Sequence, residues 1–136
     1  MFSSEFMSTA RQTRSQKLIL DLLSHRSQPL SAQEIFVELR NEQQSVGLAT
    51  VYRSLEALQN EGQLQAVNLG DHQSYYQMLP SDGHNRHHLI CTQCRKVVPL
   101  SICPVEDLES KLSSRHGFVI DYHVLDFYGT CSDCRA

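Results

Sequence analysis

Two Cys-x2-Cys pairs, Cys91-Thr-Gln-Cys94 and Cys131-Ser-Asp-Cys134, constrain what this 136-residue chain can fold into more than any other feature. Each pair can present two thiolates from one tight knuckle. Four sulfurs make a closed tetrahedral zinc site that contributes folding energy and leaves no open position for chemistry. The interval between Cys94 and Cys131 exceeds that of a simple zinc ribbon, so the ion would tie the chain's end to the first strand of its own domain. The rival reading, two redox C-x-x-C motifs, lacks a βαβ pattern around either pair. The start of the chain lacks the positive region followed by an apolar one that marks a secretory signal, and no apolar run approaches the ~20 residues of a membrane span. A soluble, cytoplasmic protein with no membrane partner is expected. In that compartment thiols stay reduced and paired cysteines hold metal.

All five cysteines and five of the seven histidines lie after Pro80, which suggests a metal-poor front half and a metal-rich back half. At this length, 40 % apolar residues allow one ordinary core or two small ones. Pro80-Ser-Asp-Gly83 breaks both helix and strand and is the natural boundary. The expected division is residues 1–79, a hinge at 80–85, and residues 86–136.

In the front half a helix is predicted from Thr13 as N-cap, with Leu18, Leu22 and Ile19, Leu23 at i,i+4 spacing. Ser31-Ala-Gln-Glu34 is a capping box that opens a second helix, buried through Ile35, Phe36 and Leu39. A third helix is predicted from about Ala49 to Asn60 with Val51, Leu55 and Leu58 inward, Thr50, Arg53 and Ser54 outward, and Gly62 past its end. Gln63–Leu69 and Gln73–Leu79 read as a hairpin. Three helices followed by a hairpin are the winged helix-turn-helix arrangement, in which the last helix reads the DNA major groove. A small helical domain that only holds a dimer or a ligand would show the same pattern. Charge does not separate the two: residues 1–79 carry six Lys/Arg against eight Asp/Glu, where a DNA-binding domain usually has a basic footprint. Only Arg11, Arg14 and Lys17 are locally basic, which suits phosphate contact or a solvated helix start equally.

In the back half, His87–Cys91 and Lys96–Leu100 read as strands around a cysteine knuckle. A helix follows from Pro104 with Val105, Leu108 and Leu112 as its stripe, ending at His116-Gly117. Phe118–Leu125 and Asp126–Gly129 are predicted strands, so the back half is a small α+β unit and the fold class of the chain is α+β, a winged helix-turn-helix followed by a small α/β domain. A second, looser constellation lies here. Cys103 and Glu106 stand i,i+3 around a helix start, where both side chains can face one point, and His87 and His123 sit in predicted strands on either side. Such a set suits zinc, whereas replacing the thiolate by carboxylate or imidazole would suit iron or manganese. His72, His84 and His88 could form another site nearer the hinge. Any single histidine here is as readily a hydrogen-bonded strand residue.

Gly47-Leu-Ala-Thr-Val-Tyr-Arg-Ser-Leu55, His87-His-Leu-Ile-Cys-Thr-Gln-Cys94 and Tyr128-Gly-Thr-Cys-Ser-Asp-Cys134 together resemble the three signature segments of the ferric uptake regulator family, in order and over nearly the whole chain. The resemblance implies a homodimeric, metal-dependent transcriptional repressor that binds a double-stranded DNA operator, with an N-terminal winged helix, a hinge and a small C-terminal α/β dimerisation domain. It also implies structural zinc on Cys91, Cys94, Cys131 and Cys134. By the same resemblance Tyr52 and Arg53 match DNA-contacting positions, with Ala49 and Thr50 at the groove-facing start. His87, Glu106 and His123 match three ligands of the dimer-domain site, but Asn85 stands where a fourth, a histidine, is expected, and Cys103 could replace it. A hinge-side site normally takes a histidine where this chain has Arg86, and a wing ligand where it has Gln77 or Met78. With a thiolate available, the reading is the family's zinc-sensing branch, with iron- and peroxide-sensing branches as the alternative.

The expected function is repression of zinc-uptake genes, with zinc both structural and regulatory, no small-molecule substrate and no enzymatic activity. A hydrolytic zinc site built from His87, Glu106 and His123 lacks a nearby general base and leaves the winged helix unexplained. A redox sensor at Cys103 is opposed by Glu106 and Asp107, which disfavour the thiolate.

Overall fold

The first two helices begin where the sequence supplies their caps. In the computed structural model, which describes residues 11–80 and 86–135, Thr13 and Gln16 form a reciprocal capping box at the start of α1 (Arg14–Ser24). Ser31 and Glu34 do the same for α2 (Ala32–Asn41). Between them lies a two-residue strand, β1 (Leu30–Ser31), and after them α3 (Leu48–Asn60). Beyond α3, Gly62 takes φ +77, a left-handed value that an L side chain resists. The hairpin of β2 (Leu64–Asn68) and β3 (Ser74–Met78) follows, and the antiparallel order is β1-β3-β2, with Leu64 opposite Met78 and Asn68 opposite Ser74.

Ile19, Ile35, Leu39, Val51, Leu55 and Leu58 are each 1 % exposed or less and form the helical core that fixes α3 against α1 and α2. Phe36 is only half-buried, with the Arg40 guanidinium 5.5 Å above its ring. Ser54, predicted to face outward, is buried, because it adjoins Leu55 on the core side of α3.

The back half contains β4 (His88–Cys91), β5 (Val97–Pro99), α4 (Glu106–His116), β6 (Asp126–Gly129) and a single helical turn, α5 (Ser132–Arg135). Its sheet order is β5-β4-β6, antiparallel on one side of β4 and parallel on the other, with His88 opposite Asp126. Gly117, at φ +68, closes α4 with a left-handed cap. Two expectations fail here for one reason. Phe118–Leu125 forms no strand, and α4 buries none of its residues. The alternating apolar segment finds no ladder partner among the described residues, and Leu108, Leu112, Phe118, Val119, Tyr122 and Val124 remain exposed.

The two halves are packed together. Val67, Leu69 and Tyr75 of the hairpin region share an apolar cluster with Ile90 and Val97. Gln28 bonds the Val97 backbone reciprocally, donating to its carbonyl and accepting from its N–H, both at 3.1 Å. Arg95 pairs with Asp71 at 3.0 Å, and the Tyr75 hydroxyl donates to the same carboxylate at 2.6 Å. The Tyr75 bond, with Arg95 nearby, holds the Asp71 carboxyl below its ordinary range. The expected hinge falls largely on residues 81–85, outside the described residues, as does His84.

Candidate metal centres

Two groups of metal-competent side chains assemble among the described residues. In the first, β4 ends at Cys91, the knuckle turns through Arg95 at φ +67, and parallel pairing with β6 brings Cys131 and Cys134 alongside Cys91 and Cys94. The sulfurs of Cys94 and Cys131 lie 3.8 Å apart. Cys91 Sγ accepts the backbone N–H groups of Cys94 at 3.5 Å and of Cys131 at 3.4 Å. Those amides pull the Cys91 thiol down to about 6. Hydrogen bonding to Cys131 and burial push Cys134 up to about 12. Four thiols this close cannot all ionise on their own, and a cation of tetrahedral preference removes the conflict. The donor set therefore fits a zinc ion.

The second group is His87, Cys103 and His123, whose ligand atoms lie within 4.8 Å of one another. His87 precedes β4 and is 4 % exposed. Its Nδ1 lies 2.9 Å from the Leu125 carbonyl, and His123 Nδ1 lies 2.5 Å from Glu109 Oε2. Both acceptors fix the proton on Nδ1 and turn the Nε2 lone pairs inward, where they stand 2.9 Å apart. Cys103 Sγ lies 3.4 Å from His123 Nε2. Two lone pairs and a thiol aimed at one point repel unless a proton or a metal ion lies between them, so this set fits a metal as well.

Glu106, expected as a ligand, is exposed and stands outside this group. The i,i+3 relation with Cys103 required a helix starting at Pro104, but α4 starts at Glu106 and Cys103 precedes it. The carboxylate that reaches His123 is Glu109, one turn further on. The three histidines assigned to a further site do not come together among the described residues. His72 is exposed in the hairpin turn, and His88 is fully buried, with its ring bonded to Gln77 and Asp126.

On α3, Ala49, Tyr52 and Arg53 are exposed and Thr50 is half-buried, its hydroxyl accepting from Arg53 at 3.2 Å. Arg11 and Lys17 are exposed. Arg14 is tied to the turn before α3 through Gln44 Oε1 at 2.9 Å.

The geometry defines a winged-helix protein with two metal-competent groups, a four-cysteine knuckle and a His/Cys cluster, in its second half. The chain belongs to the ferric uptake regulator family, whose model matches residues 7–128. It is similar to the zinc uptake regulation protein of Mycobacterium tuberculosis, 33 % identical over 126 residues, 93 % of this chain and 95 % of that protein. It is also similar to the ferric uptake regulation protein of Neisseria meningitidis, 34 % identical over 119 residues, 87 % and 81 % of the two chains. Among solved structures, a zinc uptake regulator complexed with zinc and DNA matches with a TM-score of 0.70 and 26 % identity, over 93 % of this chain and 85 % of that one. No helix among the described residues is long and apolar enough to cross a membrane.

Proposed function

We propose that this transcriptional regulator is a zinc-responsive, DNA-binding repressor of zinc-uptake genes, cytoplasmic, homodimeric and without enzymatic activity. The observation that carries the reading is the second metal group, in which two imidazoles and a thiol converge. A thiol donor favours zinc over the harder iron(II) and manganese(II) ions. Zinc, when bound, supplies cross-links between chain segments. His87 and His123 bring the strand region and the segment after α4 to it, Cys103 the segment before α4, and the four-cysteine group joins the chain's end to β4. The similarity to a zinc uptake regulation protein, matched over nearly its full length, supports this metal. The similarity to a ferric uptake regulation protein at a comparable identity, together with Glu109 beside His123, favours the second reading, an iron- or peroxide-responsive regulator of the same family.

A second copy of this chain is the proposed cover for the exposed face of α4 and for segment 118–124, where Phe118, Val119, Tyr122 and Val124 are 68 to 89 % exposed. A symmetric pairing of that segment with its copy would supply the missing ladder and bury both faces at once. The DNA-reading surface is the exposed side of α3. There Tyr52 offers an aromatic face to thymine methyls, and Arg53 a guanidinium to a guanine edge or a phosphate. Arg53→Ala is expected to weaken operator binding by zinc-loaded protein roughly 10- to 100-fold, the loss of one good bidentate contact, with zinc content unchanged. Unchanged affinity in a fluorescence-anisotropy titration would contradict the assignment of α3.

A further inference from the structure

His88 is the residue the proposed function leaves unused. It is fully buried on β4, directly after the metal-group residue His87. Its Nδ1 lies 2.8 Å from Asp126 Oδ1, which also accepts the His88 backbone N–H at 3.0 Å. Its Nε2 lies 2.7 Å from the side-chain nitrogen of Gln77. The imidazole donates its Nδ1–H to the carboxylate, which leaves Nε2 as an acceptor, and the Gln77 amide N–H fills it. An imidazole with both nitrogens engaged in this way has no lone pair to offer a cation. Gln77 lies on β3 of the hairpin and Asp126 on β6 of the second sheet, so one buried side chain joins the two halves. Alongside it, Gln65 of β2 holds the Arg86 backbone by both groups, donating to its carbonyl at 2.8 Å and accepting from its N–H at 2.7 Å. Tyr128 donates to the Asn68 carbonyl at 2.6 Å.

We propose that Gln77, His88 and Asp126 form a metal-free latch. It holds the hairpin against the second sheet and sets the orientation of α3 without a metal at the hinge, leaving metal response to the His87, Cys103 and His123 group. The latch and that group share two segments. His87 adjoins His88, and Leu125, whose carbonyl holds His87, adjoins Asp126, with His88 and Asp126 in register. A change in the position of His87 is therefore passed to the latch through one peptide link. The consequence for DNA rests on the function proposed above, but the latch itself concerns two parts of one chain.

The peptide bond after Arg86, a trypsin site, is the probe: the Arg86 side chain is exposed, but Gln65 of the hairpin holds both its backbone N–H and its carbonyl, so faster cleavage reports release of that grip. Gln77→Leu keeps the bulk of the side chain and removes the amide, leaving a buried ring nitrogen without its partner. Zinc-loaded, full-length Gln77→Leu protein is expected to be cut after Arg86 about fivefold faster than wild type or more, as the loss of a buried hydrogen bond implies. Its zinc content should stay at the wild-type value, and operator affinity should fall roughly tenfold. Asp126→Asn, whose amide oxygen still accepts both the His88 backbone N–H and the ring Nδ1–H, should be cut at close to the wild-type rate. Unchanged cleavage of Gln77→Leu, the loss of one zinc per chain, or unchanged operator affinity despite faster cleavage overturns the proposal. Wild-type protein that binds no operator DNA with any metal defeats the proposed function instead, and the cleavage and zinc measurements still decide the latch.

Discussion

Cys131→Ser is expected to release one zinc per chain and to unfold the second sheet while leaving the three-helix unit folded. Cys131 does two things at once: its sulfur lies 3.8 Å from that of Cys94, and its backbone N–H holds Cys91 Sγ. The strand it follows, β6, has no partner but β4 among the described residues. Buried apolar support behind that sheet is thin, since Ile90, Cys91 and Val97 are its only described buried hydrophobics. Structural zinc contributes apparent free energies of about 10–16 kcal/mol in zinc-finger peptides at neutral pH, so losing one thiolate removes the main tie. Helices α1 to α3 have their own core around Ile19, Ile35 and Leu55 and should keep their far-ultraviolet helical signal. The expected result is a separate, earlier melting transition for the second half, lowered by about 10 °C or more for a lost contribution of several kcal/mol. Wild-type zinc content and melting behaviour in this variant would refute the four-cysteine site. Acid acts through the same cradle. Without metal, the backbone N–H groups of Cys94 and Cys131 lower the Cys91 thiol from 9.0 to about 6, so the stability gained from its thiolate form is complete above the ordinary thiol range and is lost as pH falls through about 6.

His123→Ala is expected to abolish the metal response without disturbing the fold. The substitution leaves only His87 and Cys103 of the second group and removes the imidazole 2.9 Å from His87 Nε2. Zinc content should fall by one per chain, the four-cysteine site should stay loaded, and thermal stability without added zinc should be nearly unchanged because the ring is a third exposed. A coupling of about 1–3 kcal/mol between metal and DNA, a 5- to 150-fold change in affinity, would disappear. Glu106→Gln serves as the internal control and should leave zinc content and response as in wild type, since Glu106 stands outside the group. Retained zinc-dependent DNA binding in His123→Ala would show that the regulatory metal is held elsewhere.

Features written locally in the sequence were legible. The capping boxes at Thr13 and Ser31 place α1 and α2 because a cap is set by residues three apart. The cysteine knuckles are visible because two ligands two residues apart need no knowledge of the fold. Features decided at a distance were not. Phe118–Leu125 has a strand pattern, yet a strand requires a partner, and none is present in this chain's described residues. Glu109 was missed for Glu106 because the sequence reading started the helix at Pro104, whereas α4 starts at Glu106, so Cys103 lies ahead of the helix and the carboxylate that reaches His123 comes from one turn further on. The partners of His88 lie 11 and 38 residues away, on two other strands, and nothing in the local sequence joins Gln77 to Asp126.

In the proposed mechanism, zinc bound by His87, Cys103 and His123 governs DNA affinity. The most direct measurement is operator binding by wild-type protein of known metal content, titrated in parallel with zinc, iron(II) and manganese(II). The expected result is one tightly held zinc per chain at the outset, a second zinc that drives operator binding, and little response to iron or manganese. Equal activation by iron(II) or manganese(II) would contradict it and move this chain to the iron-responsive reading.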